Sequence, residues 1–187
     1  MVCLEQQLLI LPIPGCGGHF IKPVADYYKS KGFTVLPIDP PVPWDNGHPL
    51  LPAITKVLVI VGDPFERLCG IVQTHLPDYQ SLTSREVNAL VHTGELFRRF
   101  PVETMPVSRF IQDMPRPRLP NGGRVRVFHE NDPRTWGNIL DFLVLPRTLK
   151  PEANNRPIIG WDIESENIIR NYYEKDVDIT PDKSYFL

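Results

Sequence analysis

The residues with the clearest chemical promise lie close to the start of the chain. Pro14-Gly15-Cys16-Gly17-Gly18-His19 follows the apolar run Leu8-Leu9-Ile10-Leu11 and leads into a stretch with helical spacing. Glycines let backbone N–H groups approach an anion, and the N-terminus of the next helix adds about half a positive charge. Gly15, Cys16, Gly17, Gly18 and His19 therefore read as a turn for a phosphate or sulfate. Lys22, one turn into the helix, is a candidate cation for it. The plainer alternative is a glycine turn that only makes room for helix packing. His48, in Gly47-His48-Pro49, stands by itself as a loop histidine in a proline-rich connection.

Other chemistries find less support. The Walker motif GxxxxGK[ST] is absent, because no Gly-Lys-Ser or Gly-Lys-Thr occurs. A dinucleotide fingerprint matches at Gly15, Gly17 and the acidic Asp39, but its third glycine position is Phe20. His75, His92 and His129 lack metal-ligand spacing, and Cys3, Cys16 and Cys69 form no CxxC. No metal site or disulfide framework is expected.

The elements that must position these residues alternate between strand and helix. Leu8–Leu11 reads as a strand buried on both faces, Phe20–Ser30 as a helix stopped by Gly32, and Phe33–Ile38 as a second strand. Asp39–Pro52 reads as a loop and Lys56–Val61 as a third buried strand. Asp63 is a good N-cap with Pro64 at N1 and Glu66 at capping-box spacing, which predicts a helix over Pro64–Thr74. Thr83 and Glu86 repeat the capping box before a helix over Ser84–Arg99. Pro101–Gly123 reads as a long loop with a short helix around Val107–Asp113. A strand over Arg124–Phe128, a helix from Asp132-Pro133 to Phe142, a loop over Pro146–Pro157 and a helix over Asp162–Glu174 complete the chain. The order predicts one α/β domain over residues 1–187, three-layered, with a central parallel sheet flanked by helices.

Five segments resemble, in order, the motifs of sulfotransferases of the carbohydrate and heparan type, which use 3′-phosphoadenosine 5′-phosphosulfate (PAPS). The glycine turn resembles their P-K-x-G-[GT]-[TS] loop. Val57-Leu58-Val59-Ile60-Val61-Gly62-Asp63-Pro64-Phe65-Glu66-Arg67-Leu68 resembles their V-x-R-D-P-[FY]-x-R-[LF]-x-S segment. Val125-Arg126-Val127-Phe128-His129-Glu130 resembles the strand ending in Glu, followed by an Asp-capped helix and a Leu-Pro, here Leu145-Pro146. Asn154-Asn155 and Asn171-Tyr172-Tyr173-Glu174-Lys175-Asp176 resemble the Asn and the closing Y-x-x-D.

The resemblance spans residues 8 to 178 and implies a P-loop-like sulfotransferase fold. It implies PAPS, or its product PAP, as cofactor and sulfuryl transfer to a hydroxyl acceptor. It makes Asp63 and Arg67 cofactor-site residues beside the glycine turn and Lys22, and it makes His48 the base. The family's loop lysine is here Gly15, its loop hydroxyl His19, its 3′-phosphate arginine Gly62 and its serine Gly70. Three functions follow. One is a small sulfotransferase with altered cofactor contacts. The second is an inactive protein on the same fold with a structural or protein-interaction role, as in a virus particle. The third is a different dinucleotide binder using Gly15, Gly17 and Asp39.

Composition narrows the setting. The 187 residues are 42% apolar and 22% charged, with a net charge of −2. That mix excludes a disordered or coiled-coil chain and gives no strong field for nucleic acid. No apolar run approaches bilayer length and no signal peptide is read. The expected location is cytoplasmic, or the virion for a viral protein. The 21 prolines, more than twice the usual roughly 5%, predict long stiff loops.

Overall fold

In the computed structural model, residues 1–37, 53–76, 78–108, 124–174 and 176 are described. Asp39, His48, the whole Asp39–Pro52 loop and most of the short helix expected around Val107–Asp113 lie outside these residues. The strands are β1 (Val2–Cys3), β2 (Leu8–Pro12), β3 (Val35–Leu36), β4 (Lys56–Val61) and β5 (Arg124–His129). The helices are α1 (Gly18–Ser30), α2 (Pro64–His75), α3 (Ser84–His92), α4 (Glu95–Arg99), α5 (Thr135–Leu143) and α6 (Ile163–Tyr172).

The fold is α/β, with a five-stranded mixed sheet of order β3-β1-β2-β4-β5 flanked by helices. Strands β2, β4 and β5 are parallel, with Leu9 opposite Val57 and Val57 opposite Val125. The expected all-parallel sheet is corrected by β1, which runs antiparallel to both β2 and β3. A tight turn closes the β1–β2 hairpin, with Gln7 at φ 50 and its N–H donating to the Leu4 carbonyl. The hairpin inserts β1 between the two strands that α1 connects.

Alternation along β2 and β4 fills both faces of the sheet. Leu8, Ile10, Leu58 and Ile60 pack with Phe20, Val24 and Tyr28 of α1 and with Ile139, Leu140 and Leu143 of α5. Leu9, Leu11, Val57, Val59 and Val61 pack on the other face with Ile13, Cys16 and Ile54. Burying each such large side chain contributes about 1.5–3 kcal/mol, so these strands fix the sheet with little help from their ends. A third cluster joins α2, α3, α4 and α6 through Leu68, Ile71, Val87, Val91, Leu96, Ile169 and Tyr173.

Local signals set the helix ends. Helix α1 begins two residues before the expected Phe20, because Gly17 (φ 67) serves as its N-cap. It ends in a Schellman turn: Gly32 (φ 79) donates to the Lys29 carbonyl and Phe33 to that of Tyr28. The Tyr28 and Phe33 rings pack across that turn. Asp63 caps α2 by accepting from Phe65 and Glu66 N–H. The Thr83–Glu86 capping box forms in full. The single helix expected over Ser84–Arg99 is two helices, broken at Gly94 (φ 66), whose left-handed backbone starts α4.

Candidate functional site

Strands β2 and β4 run side by side and end together, so the glycine turn after β2 lies next to the start of α2. Two glycines make the turn possible. Gly15 has φ 79, and a Cβ there would sit 2.3 Å from the Arg67 carbonyl oxygen. Gly17 has φ 67, and its Cβ would fall 2.7 Å from Ile60 Cγ2. Helix α2 presses on the turn from outside: a Cβ on Gly70 would meet the Gly15 carbonyl oxygen at 2.8 Å. Positions 15 and 70 are thus both closed to side chains by the path of the backbone.

Arg67 builds this turn from beneath. Its side chain is fully buried and is not on the wall of the pocket described below. Nε donates to the Pro14 carbonyl at 2.9 Å and Nη2 to the Glu103 carbonyl at 2.6 Å. Nη1 lies 4.0 Å from Asp176 Oδ2 and has no hydrogen-bond partner among the described residues. The guanidinium also stands over the Tyr173 ring. Asp63 is likewise a capping residue. Asp63 and Arg67, expected from the resemblance at a cofactor, shape the turn and the start of α2 in this structure.

The turn's electrostatics are set by two residues absent from the sequence-based site, Glu130 and Arg156. Glu130 directly follows β5, and its N–H donates to the Val61 carbonyl. Its carboxylate, 1% exposed, accepts from Gly17 N–H at 2.9 Å. Arg156 grips the same carboxylate with Nη1 and Nη2, each at 2.7 Å, and Nη1 also reaches Glu66 at 3.4 Å. Burial disfavours the Arg156 charge, yet the hydrogen bond and attraction to Glu130 outweigh it and raise its pKa. Gly62 makes room for this arrangement, since a Cβ there would lie 1.9 Å from Glu130 Oε1. The space beside position 62 is filled by the Glu130 carboxylate.

Arg156 arrives on a segment of irregular backbone, residues 150–162, that crosses the start of α1. Its anchor is the Glu152 N–H, which donates to the His19 carbonyl at 2.9 Å. Pro23 leaves that carbonyl free. It has no N–H to return to His19, four residues earlier. Pro23 thus lies inside α1, beyond its first turn.

Between the turn, α2 and this segment lies a pocket of about 330 Å³. Gly15, Cys16, Gly18 and His19 form one wall, Gly70, Gln73 and Thr74 a second, and Glu152 to Arg156 a third. The first-turn N–H groups of Gly18 and His19 have no acceptor among the described residues. The His19 pKa is lowered, chiefly by burial, with Arg156 adding to the shift and Glu130 opposing it. The Cys16 thiol is pushed up by burial and then by Glu130, so it is protonated. Lys22 is exposed, paired with Glu152 and not on the pocket wall.

The structure thus brings Gly15, Cys16, Gly18 and His19 together around one pocket, with Gly17 spent on Glu130. It places Lys22, Asp63 and Arg67 elsewhere, and His48 lies outside the described residues. One signal pointed to Glu130: it follows a strand that pairs in parallel with β4, and ligands sit at the carboxyl ends of such strands. Arg156, inside a proline-flanked loop, has no local pattern. Among the described residues no group of His, Cys, Asp or Glu is arranged to hold a metal ion, and no helix is long and apolar enough to cross a membrane. Comparison with protein-family models, with curated proteins and with solved structures finds no match to this chain.

Proposed function

We propose that this protein is a sulfotransferase-like chain of the P-loop-like fold that binds the phosphate end of an anionic nucleotide, of the PAP and PAPS type, and does not transfer the sulfuryl group. The observation carrying this reading is the pocket at the start of α1, where two unpaired N–H groups and a guanidinium share one cavity. Such donors suit a phosphate oxygen. The ordered resemblance of the surrounding segments supplies the nucleotide class.

The absence of transfer is argued from the same geometry. Stabilising charge on the leaving phosphate needs a donor aimed at the leaving oxygen. Gly15 cannot carry a side chain on this backbone, and Lys22 is engaged by Glu152 at the exposed rim. Calorimetric titration tests both halves. PAP and PAPS are expected to bind with similar affinity, NAD not at all, and PAPS is expected to be recovered intact. No PAP binding at millimolar concentration would remove the nucleotide reading. Sulfate release from PAPS above the buffer blank would remove the non-transferring one.

A further inference from the structure

We infer that Gln73 and Thr74, on the α2 wall of the pocket, read a ring amino group of the ligand and so select an aminopurine base. This rests on the nucleotide reading above and adds what distinguishes one base from another. Neither residue belongs to a motif of the sulfotransferase resemblance.

Charge on the pocket wall is already balanced. Glu152 pairs with Lys22, and Arg156 pairs with Glu130 and Glu66. Gln73, Thr74, Asn154 and Asn155 add polar groups without charge. Such a wall suits a neutral hydrogen-bonding group, since an ammonium would meet no carboxylate that lacks a partner. Gly70, one helical turn before Thr74, lies against Gly15. A ligand whose phosphate end is at the glycine turn therefore meets Gln73 and Thr74 next along α2.

Hydrogen bonds within the fold decide which atoms of that wall remain for a ligand. An amide can present either end, and its partners settle which. Gln73 donates from Nε2 to the Asn155 carbonyl at 3.4 Å and to the Tyr79 hydroxyl at 3.5 Å. The carbonyl can only accept, so Nε2 faces it. Oε1 is left without a donor among the described residues. Thr74 is constrained in the same way. Its hydroxyl donates to the Gly70 carbonyl at 2.8 Å, so toward a ligand it can only accept. Two acceptors on consecutive residues of one wall match the two N–H donors of an exocyclic amine. A ring carbonyl in place of that amine would set acceptor against acceptor and leave the wall unsatisfied.

The probes are PAP and its 6-oxo counterpart, which carries hypoxanthine in place of adenine and the same phosphates. Calorimetry on the wild type is expected to show PAP bound about ten- to a hundredfold more tightly. Gln73→Met and Thr74→Val keep the side-chain shapes and remove the acceptors. Neither side chain is fully buried, so the variants are expected to melt near the wild type. In the double variant PAP is expected to weaken while the 6-oxo compound holds, which brings the two affinities together. A purely structural role would weaken both compounds alike. Equal affinity of the wild type for the two would overturn the selection of an amine and leave the nucleotide reading intact. A preference that survives in the double variant would overturn the assignment to Gln73 and Thr74. A wild type that binds neither compound at millimolar concentration would remove this inference with the reading beneath it.

Discussion

Gly62 and Glu130 form a matched pair, because a side chain at position 62 would occupy the space of the Glu130 carboxylate. The carboxylate is held on one side by Gly17 N–H and on the other by Arg156. It therefore cannot retreat from a side chain at position 62 without losing a partner in a nearly dry site. An alanine there would bring its Cβ within 1.9 Å of Oε1, 2.8 Å of Cδ and 3.1 Å of Cys16 Sγ. Gly62→Ala is expected to destabilise the fold by about 1–3 kcal/mol, the usual cost of overpacking, and to speed hydrogen exchange at Gly17. Urea denaturation and amide exchange read the two effects. An unchanged midpoint together with an unchanged Gly17 exchange rate would mean that Glu130 adapts freely and that the pairing is loose. By the same geometry Gly62→Arg would find no room for its stem, which has no path past Glu130.

At the scale of elements, caps and breaks do the positioning. The Thr83–Glu86 box holds the start of α3, with Thr83 N–H donating to Glu86 at 2.7 Å and Glu86 N–H donating back to Thr83 Oγ1 at 3.3 Å. Thr83→Ala is expected to cost about 1 kcal/mol, as cap removals do, read as a lower urea midpoint with an unchanged slope. No shift would mean that packing against α6 alone holds α3. These signals were legible before the fold was known, because each is local: a hydroxyl three residues before a carboxylate, an aspartate before a proline, a glycine after a helix. The strands over Leu8–Pro12, Lys56–Val61 and Arg124–His129 were legible for a similar reason, as short apolar or alternating runs. The β1–β2 hairpin was not, because two residues are too few to show a period. The break at Gly94 was hidden because apolar spacing resumes beyond it. At the site, the glycine turn could be read directly, whereas its counter-charge could not. Glu130 stands 113 residues from Gly17, and Arg156 comes from a loop whose place is set by Pro23 freeing the His19 carbonyl. Such contacts belong to the tertiary fold and leave no trace in local spacing.

At the scale of the whole molecule, the turn is also where separate packing clusters meet, and ionisable groups are buried at that junction. Cys16 packs on the sheet face and Tyr173 in the helical cluster, with Arg67 near both. Burial raises the pKa of each, with the charge of Arg67 opposing the shift in both cases. Tyr173 is tied further by its hydroxyl donating to the Thr104 carbonyl at 2.7 Å. Burial also raises Cys69 and pushes Tyr28 up to about 12. All four are therefore neutral in the fold at pH values where the unfolded chain has begun to ionise. The unfolded chain then holds fewer protons than the native one, so stability falls as pH rises. This contribution is fully present below the ordinary thiol value of 9.0 and is lost progressively above it, with the tyrosines joining from 10.0. The urea midpoint is expected to drop from about pH 9 to about pH 10.5, across the range where free thiols and phenols ionise. Cys16→Ala lowers the midpoint at every pH by leaving a cavity, but it is expected to make the alkaline decline shallower. A midpoint that holds steady to about pH 10.5 would mean that water reaches these groups and that the junction beneath the pocket is not dry. A dry junction has a functional consequence, because the low dielectric that keeps Cys16 protonated also strengthens the attraction between Arg156 and an anion in the pocket it borders.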